Sequence, residues 1–380
     1  MLILSLNKKT IMSLEKYYVL GKTGLRVSRL ALGTMTFGED WGWGSEKKAA
    51  KAIFDYYIDK GGNFIDTADL YTDGNSEKMV GEFVKDRKLR EKVVIATKFS
   101  YNGDPGNPNG GGNSRKHIVH AVEGSLKRLQ TDYIDLYFLH TYDLLTKPEE
   151  VMRTLDDLVK QGKILHIGLS DCPSWYVSRA QTIAEYRGFE PVSTMQLEYS
   201  LVERNIEKEF IPLGQETGIG TMVWSPLASG LLSGKYKPSE SGIEGEGRLK
   251  TMEGSDNKAF DKNTERNWKI VSALEEVAKE IEQPMASVAL NWVANRPGIS
   301  SVIVGATKMH QLEENLASLD FDIPHDLKQK LKDASKPSME FPYSFFEPKM
   351  QAMLTGGAKV GHKPASYWSD VSLEEKPAGV

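Results

Sequence analysis

Eight short apolar runs, rich in β-branched and aromatic residues, alternate along this chain with longer stretches of helical spacing. The runs cover residues 30–35, 63–69, 93–100, 134–140, 165–171, 194–200, 221–227 and 301–307. Runs this short and continuously apolar read as strands buried on both faces, since a half-exposed strand would alternate polar and apolar residues. The helical stretches are 46–60, 75–88, 114–129, 148–161, 174–187 and 206–217. Two more, 264–282 and 285–295, precede the eighth run, and 310–319 follows it. Ser114 is placed to cap one helix and Gly162 to stop another. Such alternation requires parallel strands joined by helical crossovers, and eight regular repeats predict a closed (β/α)8 TIM barrel in the α/β class. An open doubly wound sheet is disfavoured, because LALGTMTFGEDWGWG after the first run lacks the GxGxxG spacing.

Ahead of the barrel, YYVLGKTGLRVSRLALG reads as a β-hairpin turning at Lys22, Thr23 and Gly24. The expected organisation is a barrel over 17–335, an N-terminal extension over 1–16 and a C-terminal tail over 336–380. Two long loops, 101–113 and 228–263, leave the C-terminal ends of strands, and the tail carries aromatics in FPYSFF and SYW. Met12 is a candidate start, which would make the first eleven residues an extension.

In a parallel barrel the C-terminal strand ends converge on one face and jointly build an active site. Four polar residues fall there: Asp66 and Tyr71 in GNFIDTADLY, Lys98 in VVIATKFS, and His140 in YIDLYFLH. Singly, each has a plain reading: a solvated strand end for Lys98, a packing ring for Tyr71, a core imidazole for His140, a turn cap for Asp66. Together, at the same end of three successive strands, they suit acid catalysis on a carbonyl. A phenol, ordinarily titrating near ~10, becomes a usable donor if a neighbouring cation stabilises its phenolate.

The bulk composition closes off other classes. A net charge of -4 supplies no basic field for nucleic acid or anionic membranes, and no apolar run reaches the ~20 residues of a membrane span. The N-terminus lacks the small-residue cleavage site of a signal peptide, so a cytoplasmic location is expected. The single cysteine, Cys172, excludes an internal disulfide and is expected to be buried and inert. Neither HExxH, paired cysteines nor an acidic cluster is present, so no metal is expected.

The chain resembles the aldo-keto reductases over roughly Tyr17 to Leu319. The stretches that carry the resemblance are LALGTMTFG, FIDTADLYTDGNSEKMVGEF, VVIATKF, SLKRLQTDYIDLYFLH, GKILHIGLSD, MQLEYSLVER, VWSPLASGLLSGKY and VIVGATKMHQLEENL. Its long loop after the third strand and its SPLASGLLSGKY segment are more similar to the aryl-alcohol dehydrogenase-like and potassium-channel β-subunit branch than to the steroid-reducing members.

The resemblance implies NADPH-dependent reduction of an aldehyde or ketone. Tyr71 would be the general acid, Lys98 would lower its pKa, Asp66 would hold the lysine, and His140 would orient the carbonyl. Asp69 is a rival for the carboxylate role, which the motif gives to Asp66. The cofactor would be NADP(H), bound without a Rossmann motif. Gly33, Thr34 and Met35 would lie along it with Asp66. Ser170, Asp171 and Gln196 would hold the carboxamide, and Trp224 would stack on the nicotinamide. Asp171 departs from the usual asparagine: it can accept from the carboxamide nitrogen but cannot donate to its oxygen. Ser225, Leu227, Gly230, Leu232 and Lys235 would cover the pyrophosphate. Gly305, Thr307, Lys308, Gln311 and Asn315 would take the adenosine end, with Lys308 favouring a 2′-phosphate.

The expected partner is a small carbonyl or alcohol substrate. Trp41, Trp43, Tyr101, Tyr142 and Trp175 are candidates for an aromatic pocket wall and equally for ordinary loop packing. Two other readings stay open here: a nicotinamide-binding regulatory or sensor subunit with slow turnover, and a Schiff-base aldolase using Lys98 as nucleophile.

Overall fold

In the computed structural model, residues 14–239, 242–251, 253–254, 261–356 and 358 are described. Of the expected N-terminal extension only 14–16 fall within them, and the SYW aromatics of the tail lie outside. The strands are β1 (Tyr17–Val19), β2 (Arg26–Ser28), β3 (Leu30–Gly33), β4 (Phe64–Asp66), β5 (Val94–Phe99), β6 (Ile134–Leu139), β7 (Ile164–Ser170), β8 (Val192–Glu198), β9 (Gly220–Trp224), β10 (Lys237–Ser239), β11 (Gly242–Glu244) and β12 (Ser301–Val304). The helices are α1 (Lys47–Asp59), α2 (Asn75–Asp86), α3 (Arg115–Leu129), α4 (Pro148–Lys160), α5 (Ser174–Arg187), α6 (Phe210–Thr217), α7 (Arg248–Thr251), α8 (Glu265–Glu280), α9 (Met285–Ala294), α10 (Met309–Ala317), α11 (His325–Ala334) and α12 (Pro348–Leu354).

Strands β3 to β9 pair in chain order, and β12 closes the ring between β9 and β3, every pairing parallel. The predicted barrel and the predicted hairpin are both present. Each barrel strand is buried on both faces because its outward residues meet helices and its inward ones fill the lumen. The lumen holds Ala31, Phe64, Val94, Ala96, Leu136, Phe138, Met222 and Ile303, and Leu20 and Val27 of the hairpin pack into the same cluster. The hairpin therefore plugs the N-terminal mouth and leaves chemistry to the other end. Filling is tight: a Cβ on Gly168 would lie 2.3 Å from the Phe138 ring, so only glycine fits there.

The helices form for ordinary reasons. The Ser114 side chain accepts the His117 N–H at the start of α3. In α4, Pro148 occupies the first turn, and Val151, Met152, Leu155 and Leu158 form the buried stripe.

Three differences from expectation have local causes. Strands β3 and β4 stop at Gly33 and Asp66. The Thr34 and Thr67 N–H groups still bond the Asp66 and Ala96 carbonyls at 2.9 Å, and their hydroxyls pair with Ser76 at 2.8 and 2.9 Å. The segment 228–263, expected as loop, contains the β10–β11 hairpin and α7, and Tyr236 ties them together by accepting the Leu249 N–H at 3.1 Å. The third is α11, absent from the expected helices, which packs along α8. Among the described residues no helix is long and apolar enough to cross a membrane.

Candidate active site

Parallel strands end at staggered heights, and side chains at those ends point into a common cleft. Lys98, on β5, has its side chain completely buried and donates three hydrogen bonds: to Asp66 Oδ2 at 2.7 Å, to the Thr67 carbonyl at 2.8 Å and to the Tyr71 hydroxyl at 3.3 Å. These account for all the donors an ammonium has. The other Asp66 oxygen accepts from Gln196 Nε2 at 2.8 Å. Asp66 is thus fixed from both sides, by neighbouring β5 and from across the barrel by β8.

Tyr71 opens the turn after β4. Thr72 and Asp73 adopt left-handed backbone (φ 48° and 55°), held by the Thr72 hydroxyl on the Phe37 carbonyl at 2.8 Å. That strain sets the approach of Tyr71 to Lys98, whose ammonium also sits 4.9 Å from the phenol ring centre.

The electrostatics follow from burial and neighbours. Burial raises the Tyr71 phenol above its ordinary value, and Lys98 only partly opposes this. The phenol therefore rests protonated, more firmly than a simple lysine-lowered tyrosine would. Burial alone would lower Lys98, but Asp66 and Tyr71 together hold it above its ordinary value. His140 follows β6, with its N–H on the Phe99 carbonyl at 2.8 Å. Burial, helped by Lys98, pushes its imidazole well below 6.5, so it is neutral near pH 7, and its Nδ1 has no partner among the described residues. Asp69, the rival carboxylate, makes no contact with the ammonium. Its Oδ1 has no partner, and burial together with Glu77 pushes it up to about 7.

Aromatic rings extend this centre. Trp43 and Trp41 lie 5.9 Å apart, Trp41 meets the Tyr71 ring edge-on at 6.4 Å, Tyr71 meets His140 at 5.8 Å, and His140 meets Tyr101 at 4.9 Å. Tyr142 and Trp175 stand apart, forming a trio with Tyr176 at the rim.

The residues expected to hold a nicotinamide lie beside the same cleft, and a buried donor there has no partner among the described residues: the Ser170 hydroxyl, at the end of β7. Gln196, next to it in the pairing of β7 with β8, has its amide N–H committed to Asp66, leaving its carbonyl oxygen to offer. Trp224, at the end of β9, donates its indole N–H to Asp171 Oδ1 at 3.1 Å. Beyond it, Ser225, Ala228, Ser229 and Gly230 all have positive φ (55°, 49°, 56° and 92°), in a turn closed by the Ala228 and Gly230 N–H groups on the Ser225 and Leu227 carbonyls at 2.8 and 2.9 Å.

Other expected cofactor residues are engaged internally. Thr34 is fully buried, with its hydroxyl on the Asp66 carbonyl and Ser76. A Cβ on Gly33 would strike Ile303 at 2.7 Å, so that glycine serves the β3–β12 contact. Met35 is half-buried, Leu227 lies against the core, Leu232 is within it, and Lys235 is exposed. Gln311 Oε1 accepts from the N–H groups of Thr307 and Lys308, and Asn315 donates to the Gly305 carbonyl at 3.2 Å, which makes the start of α10 rigid with Lys308 exposed.

One residue near the cleft was not anticipated. Arg248, in α7, lies 5.5 Å from the Trp43 ring and within electrostatic reach of Tyr71 and Glu198, and its Nε has no partner among the described residues. The only sequence signal was a cation in a glycine-rich insertion. Cys172 is buried, and burial raises its thiol out of the reactive range, as expected of an inert cysteine.

This arrangement can protonate an oxygen held between a phenol and a neutral imidazole. Comparison with known proteins agrees. The chain matches the Aldo/keto reductase family over residues 29–336. It is 36% identical to an uncharacterised oxidoreductase of Bacillus subtilis, covering 84% of this chain and 95% of that one. It is 36% identical to a probable voltage-gated potassium channel subunit beta of Oryza sativa, covering 80% and 91%. It is 35% identical to the aryl-alcohol dehydrogenase [NADP(+)] of Phanerodontia chrysosporium, covering 85% and 86%.

Proposed function

Because the chain belongs to the aldo/keto reductase family, and is therefore an oxidoreductase, we propose that it reduces aromatic or flat apolar aldehydes and ketones with NADPH, Tyr71 acting as general acid. The observation that carries this reading is the Tyr71 hydroxyl 3.3 Å from an ammonium that is itself completely buried against Asp66. The cofactor supplies the hydride, and Ser170, Gln196, Trp224 and the strained turn at Ser225–Gly230 are the groups that would hold it.

The protein's own part is the proton. Tyr71 keeps its proton in the resting site and releases it only as negative charge builds on the substrate oxygen. Lys98 makes that release feasible, since the phenolate left behind faces a cation already fixed by Asp66 and the Thr67 carbonyl. His140, being neutral, can donate one ring N–H to the same oxygen without adding a charge that would repel Lys98. The rings of Trp41, Tyr71, His140 and Tyr101 would favour a flat substrate by edge-to-face contact. The NADP(+)-named relative is a dehydrogenase of aryl alcohols, which agrees with this substrate class.

The test is Tyr71→Phe, assayed by NADPH oxidation on a panel of aromatic and aliphatic aldehydes. Loss of a general acid lowers kcat by ~10²–10⁴-fold, while NADPH binding should remain nearly intact. Retention of more than a tenth of wild-type kcat would remove Tyr71 from the acid role.

A further inference from the structure

We infer that Asp171 is a redox-tuning residue, its carboxylate favouring the oxidised, cationic nicotinamide over the reduced one and so making the bound reduced cofactor a stronger hydride donor. The inference rests on the proposed cofactor site and adds to it a role that the carboxamide contact alone would not give.

The position of Asp171 is fixed by its backbone. Its N–H bonds the Gln196 carbonyl at 3.2 Å, its own carbonyl lies 3.5 Å from the Tyr142 N–H, and its φ is 43°, a left-handed conformation that aspartate tolerates better than most residues. Its Oδ1 accepts the Trp224 indole N–H at 3.1 Å. The carboxylate is therefore held at the edge of the indole, and a ring laid on the indole face has this anion beside it. Burial at the barrel mouth raises the Asp171 carboxyl to about 7, the indole N–H opposing the rise. Its side chain still opens onto cleft solvent, and a carboxyl titrating near 7 is about half ionised at neutrality and mostly an anion by pH 8.

Hydride transfer breaks a C–H bond of the reduced nicotinamide with both its electrons, forms a C–H bond on the carbonyl carbon, and moves the Tyr71 proton to oxygen. The nicotinamide ring changes from neutral to positively charged. Of the charged groups nearby, Lys98 disfavours that charge, but its field is largely cancelled by Asp66 at 2.7 Å. Asp171 favours it and, among the described residues, has a neutral indole as its side-chain hydrogen-bond partner. A unit charge some ~5 Å away in an effective dielectric near 20, partly screened by the cleft, alters the preference roughly ten- to hundredfold. Asparagine at this position has the same shape without that preference.

The test measures dissociation constants of NADP⁺ and NADPH by protein fluorescence, for the wild type and Asp171→Asn, with 2′,5′-ADP as a fragment lacking the nicotinamide. The expected result is a tenfold or greater loss of NADP⁺ affinity relative to NADPH in the variant, with 2′,5′-ADP unchanged. Tenfold corresponds to ~30 mV in the potential of the bound two-electron couple. An unchanged NADP⁺/NADPH ratio with both still bound overturns the inference and leaves the cofactor site standing. Failure of the wild type to bind either nucleotide overturns the cofactor site itself.

If the variant does not fold, the wild type carries the test, its preference for NADP⁺ measured from pH 5 to pH 8. The groups facing Asp171 are Lys98, Tyr71, Tyr101, Glu198 and Cys172. Burial raises Glu198, with Lys262 opposing, and the other four are all raised from ordinary values already above this window. Glu198 pairs with Lys262 at 2.9 Å, and the 2′-phosphate is common to both nucleotides and cancels. A preference that grows with pH supports the inference, and a flat one overturns it.

Discussion

Replacing Asp66 by asparagine should expose how much of this fold's stability depends on one buried charge. Lys98 is completely buried, and Asp66, at 2.7 Å, is the carboxylate paired with it. Asparagine keeps the shape but offers one acceptor where aspartate offers two. Asp66 now receives Lys98 on one oxygen and Gln196 on the other, so the new NH₂ must face one of those donors. Removing one partner of a buried ion pair typically costs ~3–5 kcal/mol, because the remaining charge is uncompensated.

The pH dependence separates this cause from simple misfit. In the wild type Lys98 titrates above 10.5, so its contribution is complete below that value and is lost as pH rises through the folded pKa. In the variant, burial acts unopposed by a carboxylate and pulls Lys98 below 10.5. The unfolded state then binds more protons, and stability rises with pH. Urea denaturation followed by tryptophan fluorescence should show a large deficit at pH 7 that shrinks by pH 9.5. The double variant Asp66→Asn/Lys98→Met should be more stable at pH 7 than Asp66→Asn alone. A deficit below ~1 kcal/mol, or one equal at both pH values, would refute the argument.

Two further outcomes follow from groups at the same end of the barrel. Asp69 titrates near 7 in the folded state against an ordinary 3.8, so its contribution is complete below 3.8 and is lost progressively as pH rises to about 7. Asp69→Asn should therefore gain ~1–3 kcal/mol on the wild type between pH 5 and pH 8, and a constant offset across that range would contradict the assignment. Lys308, exposed at the start of α10, should read the cofactor 2′-phosphate by a charge-assisted contact. Lys308→Ala should weaken NADPH by roughly ten- to hundredfold with NADH almost unchanged, and equal losses for both would exclude that role.

The barrel was legible because its signal is repeated: eight apolar runs with helices between them leave few topologies, and each strand was found to within a few residues. The same repetition placed Asp66, Tyr71, Lys98 and His140, since strand ends of a parallel barrel share one face. Contacts between strands that are not neighbours were not legible. Asp171 and Trp224 meet across 53 positions, from β7 and β9, because two side chains reach past β8, and no periodicity encodes such a reach. Arg248 escaped for a related reason. Its position over Trp43 depends on a polar hairpin, β10–β11, whose sequence KPSESGIE alternates too weakly to announce strands. Helix α11 was missed because HDLKQKLKDA buries only Leu327 and Leu331, an apolar stripe too thin to stand out from a charged loop.

What the sequence could least convey is why Asp66, and not Asp69, carries the paired charge. Asp66 ends β4 and Asp69 follows three residues later, and both lie near Lys98. The difference lies in what else each one meets. Asp66 ends a strand with its side chain in the lumen, where Gln196 of β8 supplies an amide N–H and Lys98 of β5 an ammonium. Two donors compensate the desolvation of one anion. Asp69 is buried with Glu77 close by, and Glu77 already takes both the Thr97 hydroxyl and Arg128. A second anion there finds Arg128 already committed and must bear its burial largely unpaired. The placement of Gln196 and Lys98 therefore decides which aspartate forms the buried pair, and through Lys98 that pair reaches the phenol that delivers the proton.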